Sequence, residues 1–351
     1  MGPIVLKKHW VNASRVRFYS NLVKKLISIV TPCYNEDGNV DELHRRLSLV
    51  FDSFAESYDF EVIAVENGSH DNTYAKLLAI RDRDARWRVI QLSRNWGMEG
   101  GMTAGLAVAR GDAAVIMASD LQDPPEVIPR FIKKWEEGYE NVYGVISRRQ
   151  GESLFRRVAA AGFYRIINAI SETDVPRNAS DFRLVDRKAY LSFNALAERN
   201  RMVRALWGFI GFRSCGIEHE REPRTSGTSS YRLFPIVDFA MRTILSYSYM
   251  PLKVFPLFGV ACAILSLVIL AGFVVRVILY GVPFDGFGSL VAILLLLFSL
   301  LFFFLGIISE YIGMIYTETR RRPLFIVRET HGIDGAGHEP GLPNESITRS
   351  S

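Results

Sequence analysis

The sequence predicts an α/β protein in which a doubly wound, mainly parallel sheet is followed by an interfacial amphipathic helix and two transmembrane helices. Three observations carry this. Between residues 26 and 147, short and nearly continuous apolar runs alternate with amphipathic segments of helical period, the pattern of a parallel sheet covered on both faces. Several of these runs end in acids, amides and glycine. Further on, Phe255–Val275 and Phe287–Ser309 carry no charge, and each exceeds the roughly 18–20 residues that cross a bilayer core.

The elements follow in order. Residues 1–25 form a basic segment in which Lys7, Lys8, Arg15, Arg17, Lys24 and Lys25 are interspersed with polar residues. No apolar core follows them, so the segment is not read as a secretory signal. The first strand is Leu26–Thr31 and ends in Thr31-Pro32-Cys33-Tyr34-Asn35-Glu36; Pro32 prevents helix onset there, and a helix is expected over 38–55. The second strand, Phe60–Glu66, runs into Asn67-Gly68-Ser69-His70-Asp71-Asn72-Thr73, with a helix over 71–84. Arg88–Ser93 is the third strand, followed by a helix over 98–109. Ala113–Met117 is the fourth and ends in Ala118-Ser119-Asp120-Leu121-Gln122-Asp123-Pro124-Pro125. A helix over 125–137 leads to the fifth strand, Val142–Ile146.

Residues 148–232 are irregular and rich in arginine, with a helix near 153–170, a turn at Pro176 and the run Asp181–Tyr190. Residues 26–232 are read together as the catalytic domain. Leu233–Lys253 mixes apolar residues with Asp238, Arg242 and Lys253 and is read as a helix lying in the membrane interface. The two spans fall within 254–315. The loop between them holds Asp285 and no Lys or Arg, whereas Arg320-Arg321-Arg322 follows the second span. The positive-inside rule then places both termini in the cytoplasm. Residues 316–351 form a C-terminal segment with a polar, disordered tail.

The net charge of +5 is explained by basic clusters in the first 25 residues, in 148–165 and in 320–328. Anionic lipid surfaces and phosphorylated ligands attract such clusters, and no nucleic-acid-binding pattern accompanies them. Cys33, Cys215 and Cys262 are scattered and without metal spacing, which argues against a disulfide framework or a zinc site.

The chemistry is expected at the strand ends. In open α/β sheets, ligands bind at the carboxyl edge. The oxygens of Asp120 and Gln122 suit Mg²⁺ or Mn²⁺ carrying phosphates. Taken in order, these segments resemble the family 2 glycosyltransferases of the nucleotide-diphospho-sugar (GT-A) fold. They are most like the polyprenyl-phosphate branch, which includes bactoprenol glucosyl transferases and dolichol-phosphate mannose synthase. The resemblance rests on the Pro-x-Tyr-Asn-Glu turn at 32, Gly-Ser-x-Asp-x-Thr at 68, Asp-Leu-Gln-x-Pro-Pro-Glu at 120, Asp-Phe-Arg-Leu at 181 and Arg-Arg-Pro-Leu-Phe-Ile-Val-Arg at 321.

The resemblance implies roles for particular residues. Pro32, Tyr34, Glu36 and Glu66 would contact the donor's base and ribose, and Asp120 and Gln122 would ligate Mg²⁺ or Mn²⁺ on the diphosphate. Arg148, Arg156 and Arg157 would hold the acceptor's phosphate. Asp181 would orient the reacting groups, with Asp120 as its catalytic partner. Arg221, Arg224 and Ser229 belong to a flexible loop that would close over the diphosphate. Two departures from the family pattern stand out: Ala118 replaces the first acid of Asp-x-Asp, and Glu66-Asn67 replaces the usual pair before Gly-Ser.

The resulting expectation is a membrane-anchored, inverting glycosyltransferase of the bacterial inner membrane. It would move a sugar from a nucleoside diphospho-sugar, with UDP the favoured carrier, to polyprenyl (undecaprenyl) phosphate for cell-envelope glycan modification. The resemblance also implies a homo-oligomer. A processive polysaccharide synthase and a degenerate lipid-binding scaffold are the competing readings.

Overall fold

The computed structural model describes residues 24–147, 179–222 except 197, 200 and 202, parts of 261–281, and 286–333. The expected helix near 153–170, the turn at Pro176, the interfacial helix 233–253 and most of the first apolar run lie outside the described residues.

The order of elements is β1 (Lys25–Cys33), α1 (Val40–Phe54), β2 (Tyr58–Glu66), α2 (Thr73–Arg83), β3 (Trp87–Leu92), α3 (Gly97–Val108) and β4 (Ala113–Ile116). A 3-10 turn at Pro125–Val127 then leads into α4 (Ile128–Glu136) and β5 (Asn141–Ile146). After these come β6 (Ala179–Asp186), α5 (Arg187–Ala195), α6 (Val203–Ile210), β7 (Ser214–His219), α7 (Phe287–Thr319) and β8 (Val327–His331). One eight-stranded sheet results, in the order β7-β5-β6-β4-β1-β2-β3-β8.

The five expected strands and the four helices between them are present. The sheet is more mixed than expected. β1, β2, β3 and β4 are mutually parallel, but β6 runs antiparallel between β4 and β5, and β8 runs antiparallel along β3. β8 also lies beyond the residues read as catalytic domain, yet it completes the sheet.

The winding follows from connection handedness. The chain steps outward from β1 to β2 to β3, returns through α3, and lays β4 on the other side of β1. Helices formed in the two directions therefore cover opposite faces. On one face, Leu43 and Leu47 of α1, Leu77 of α2 and Phe131 of α4 close one core. On the other, Met102 and Leu106 of α3, Phe193 of α5 and Trp207 of α6 close the second. The direction reverses between β1 and β4, which opens a crevice at their carboxyl ends. α3 can pack against β1 only because it is glycine-rich: a Cβ on Gly101 would stand 2.8 Å from the Cβ of Pro32.

α7 has 33 residues and so extends about 50 Å. Its section Leu297–Thr319 is the one helix among the described residues long and apolar enough to cross a membrane, and none of it is buried. The sequence led us to expect two such helices. The described residues of the first run, among them Ile264, Leu265 and Val268, are helical and exposed, but that run is not described from end to end. Past α7 the chain rejoins the domain, with Phe325 only 6% exposed in the second core.

Candidate active site at the carboxyl edge of the sheet

The crevice between β1 and β4 is built from turns that hold one another. After β1, Asn35 takes a positive φ of 55°, a conformation asparagine tolerates better than most residues. Its backbone amide donates to Ser69 Oγ at 3.1 Å, and its side-chain oxygen accepts from the His70 amide at 2.9 Å. The Glu36 amide donates to Thr73 Oγ1 at 2.8 Å. The turns after β1 and β2 thus form one unit. Tyr34 stands 38% exposed on this unit, its ring edge-on to His70. Pro32 is buried, and its carbonyl accepts from Ser119 Oγ at 2.9 Å, which ties the end of β1 to the turn after β4. Burial pushes the neighbouring Cys33 thiol up to about 12, so it stays protonated and unreactive.

Glu66 ends β2 at 1% exposure. Its Oε1 accepts the Ser69 amide at 2.5 Å, while Oε2 has no hydrogen-bond partner. The Glu36 carboxylate accepts from Asn39 Nδ2 at 2.5 Å at the start of α1. Asn67, which departs from the family pattern, has a structural task. Its side chain donates to the Gly97 carbonyl and accepts the Trp96 amide, each at 2.9 Å, fixing the loop after β3. Gly68 is required by that same loop, because at φ +73° a Cβ would meet the Arg94 backbone at 2.6 Å.

The turn after β4 carries Asp120 and Gln122, with Leu121 between them at a φ of 57°. Asp120 Oδ1 accepts the Gln122 amide at 3.2 Å. Behind them lies Asp123, which sequence reasoning did not single out. Its Oδ1 accepts from His219 Nε2 at 2.7 Å and Arg221 Nε at 3.0 Å; its Oδ2 accepts from Arg221 Nη2 at 2.8 Å and Ser180 Oγ at 3.1 Å. Burial opposes ionisation of this carboxyl, but the bonds from His219 and Arg221 outweigh it and hold the group at about 2. Arg46 of α1 adds a second clasp, pairing with Glu126 and with Glu222 at 2.8 Å. The Glu222 amide donates to the Gln122 carbonyl at 2.9 Å. The strand β7 and the residues after it are therefore locked onto the turn that carries Asp120 and Gln122.

Asp181 reaches the same edge by pairing direction. β6 runs antiparallel to β4, with Arg183 opposite Ile116, so the start of β6 lies beside the end of β4. The contact of Ser180 with Asp123 confirms the proximity. Pro32, Tyr34, Glu36, Glu66, Asp120, Gln122 and Asp181 thus share the edge. Arg221 is there too, its guanidinium donating to Asp123 and to Ser180 Oγ. Arg148, Arg156, Arg157, Arg224 and Ser229 lie outside the described residues.

The donor set that Asp120 and Gln122 would offer a cation is one carboxylate and one amide oxygen, and no cluster of three acidic, histidine or cysteine ligands occurs among the described residues. This set fits Mg²⁺ or Mn²⁺ arriving with phosphate oxygens and water, since such ions are commonly held by one or two carboxylates plus substrate. It does not fit a zinc cage.

The profile described as Glycosyl transferase family 2 matches residues 28–192, which spans β1 to α5. A glycosyltransferase of Synechocystis sp. is 36% identical over 308 residues, covering 88% of this chain and 96% of that protein. The chain belongs to glycosyl transferase family 2. A Bacillus subtilis glycosyltransferase is 37% identical, with 88% of this chain and 94% of its own length covered. The prophage-derived bactoprenol glucosyl transferase of Shigella flexneri is 31% identical, with 87% and 98% covered. A solved Mycobacterium tuberculosis glucosyl-3-phosphoglycerate synthase superposes on 63% of this chain at 18% identity and a TM-score of 0.41, too loosely to carry residues across.

Proposed function

We propose that this family 2 glycosyltransferase moves a sugar from a UDP-sugar to a polyprenyl phosphate at a membrane surface, with inversion at the anomeric carbon. The observation that carries this reading is a juxtaposition. Glu66, Asp120, Gln122 and Asp181 share one sheet edge, in a chain whose α7 exposes an apolar surface of bilayer length. One substrate is then soluble and the other held in lipid. The similarity to bactoprenol glucosyl transferases supports the same acceptor class.

Glu66 favours a uracil base. One of its oxygens is occupied by the Ser69 amide and the other lacks a partner, so a single ligand N–H satisfies it. Uracil presents one such N–H between two carbonyls, whereas guanine's pairing edge presents two adjacent donors that call for both carboxylate oxygens. Asp120 and Gln122 would hold Mg²⁺ or Mn²⁺, which neutralises the charge that develops on the departing diphosphate. Tyr34 offers a ring for the base. Asp181 orients the acceptor phosphate against the anomeric carbon. It need not remove a proton, because a phosphate monoester has its second pKa near 6 and is largely ionised at neutral pH. Arg148, Arg156 and Arg157 are the candidates to receive the lipid phosphate, by charge and bidentate geometry.

The test uses the full chain in detergent with undecaprenyl phosphate, Mn²⁺ or Mg²⁺, and a panel of UDP- and GDP-sugars. The expected result is nucleotide release that needs both the lipid and the cation, with a UDP-sugar preferred. Cation-dependent release that is indifferent to the lipid would remove the acceptor from the reading. No release from any donor would favour a scaffold.

A further inference from the structure

A cavity of about 310 Å³ opens beyond Glu66, at the carboxyl ends of β2 and β3. Gly68, His70, Gln91, Arg94 and Asn95 line it together with Arg328, which arrives from β8 after the long helix α7. Two arginines and a histidine are among its lining residues, and no carboxylate is. Such a pocket attracts an anionic, carbonyl-rich ligand. Ser69 links it to Glu66, since it lines the cavity and its amide binds Glu66 Oε1.

The backbone shows how Arg328 comes to be there. β8 pairs with β3 as Val89↔His331, Ile90↔Thr330 and Gln91↔Glu329, then shifts so that Leu92 faces Val327. Arg328 is the residue left over at this bulge. A bulge interrupts the alternation of a strand and re-aims one side chain, and here the re-aimed chain lines the cavity. The strand is secured on both sides of it. The Ser93 amide donates to the Ile326 carbonyl at 2.9 Å, and Tyr74 of α2 bonds Glu329 at 3.0 Å and His331 at 2.9 Å. Arg328 itself is exposed, and its side chain has no hydrogen-bond or ion-pair partner among the described residues. A guanidinium on a secured strand, with no carboxylate paired to it, is available to a ligand.

We propose that Arg328 binds the nucleoside end of the donor's nucleoside diphosphate, so that the strand following α7 completes the donor pocket. This rests on the donor reading above. It also gives the segment at 321–328, a motif with no task in that reading, a reason to return to the sheet.

The test measures UDP and GDP binding calorimetrically with Mn²⁺, using the full chain in detergent. Arg328→Ala should weaken UDP binding about tenfold, within what a charge-assisted hydrogen bond contributes. The donor KM should rise by a similar factor with kcat within about twofold, while the thermal midpoint stays that of the parent. Arg328→Lys should recover part of the affinity, and Arg322→Ala, a neighbouring exposed arginine, should leave it unchanged. UDP affinity in Arg328→Ala within about twofold of the parent would overturn the assignment of Arg328 alone. A parent protein that binds neither diphosphate would overturn the donor reading and this inference with it.

Discussion

At the scale of single residues, the most consequential side chain is one that touches no substrate in the reading offered. Asp123 receives His219, Arg221 and Ser180, and so joins the turn that carries Asp120 and Gln122 to β6 and β7. Its carboxyl titrates at about 2 in the folded chain, against about 3.9 for an unperturbed aspartate. The stabilisation is therefore complete above about pH 4 and is lost as the pH falls toward 2, amounting to about 2–3 kcal/mol. Asp123→Asn should lower stability by about that amount at neutral pH and flatten the acid limb of a thermal-midpoint profile between pH 4 and 2; an unchanged limb would show that the group does not titrate there. Asp120→Asn should behave differently. The turn's fold should survive, with a thermal midpoint near the parent's, while turnover falls at least about a hundredfold. Parent-like rates in that variant would remove Asp120 from the cation site.

At the scale of elements, β8 shows what joins α7 to the sheet. Phe325 is 6% exposed and packs in the core beneath α3. Phe325→Ala should cost about 3–5 kcal/mol and, by loosening β8, raise the donor KM; limited proteolysis at residues 320–333 would report the loosening directly. The strands divide sharply in how far they could be read. β1 to β5 were legible because each is a short apolar run bounded by turn residues, buried on both faces by helices. β6 is recognisable only in hindsight. Its run Ala179–Asp186 contains Asp181 and Arg183, and the latter is buried with its guanidinium donating to the Ser180 carbonyl, a partner that periodicity does not reveal. β7 and β8 are Ser-Cys-Gly-Ile-Glu-His and Val-Arg-Glu-Thr-His, edge strands with too few apolar residues for a period to show. The site was legible to the same degree. Residues next to each other at a strand end, such as Glu66 or Asp120 with Gln122, could be found from the chain alone. The Asp123–His219 and Arg46–Glu222 contacts could not, because they join segments far apart in sequence.

At the scale of the whole molecule, the reading needs the sheet's carboxyl edge to work beside a lipid surface, and α7 is the element that would bring it there. The helix rises about 50 Å at 1.5 Å per residue, against about 30 Å for a bilayer's hydrocarbon core. In the proposed reading its uncharged part, Phe287–Ser309, would fill that core, so Glu310 and the turns that follow would stand clear of it and carry the chain back to β8. Phe302 and Phe303 are 68% and 62% exposed on this helix, an apolar surface that a bilayer would cover in the proposed reading. Leu301, about the middle of the uncharged part, is 49% exposed. Leu301→Arg should therefore cost about 2.5–3.5 kcal/mol of insertion free energy, whereas the same change at Tyr316, beyond Glu310, should cost little. Alkaline extraction of membranes separates the two cases. The Leu301 variant should shift toward the soluble or degraded fraction and lose lipid-dependent turnover, while the Tyr316 variant should stay in the pellet. Equal retention of both would mean that α7 does not span the bilayer over 287–309, and the lipid acceptor would then have to reach the sheet edge by another route.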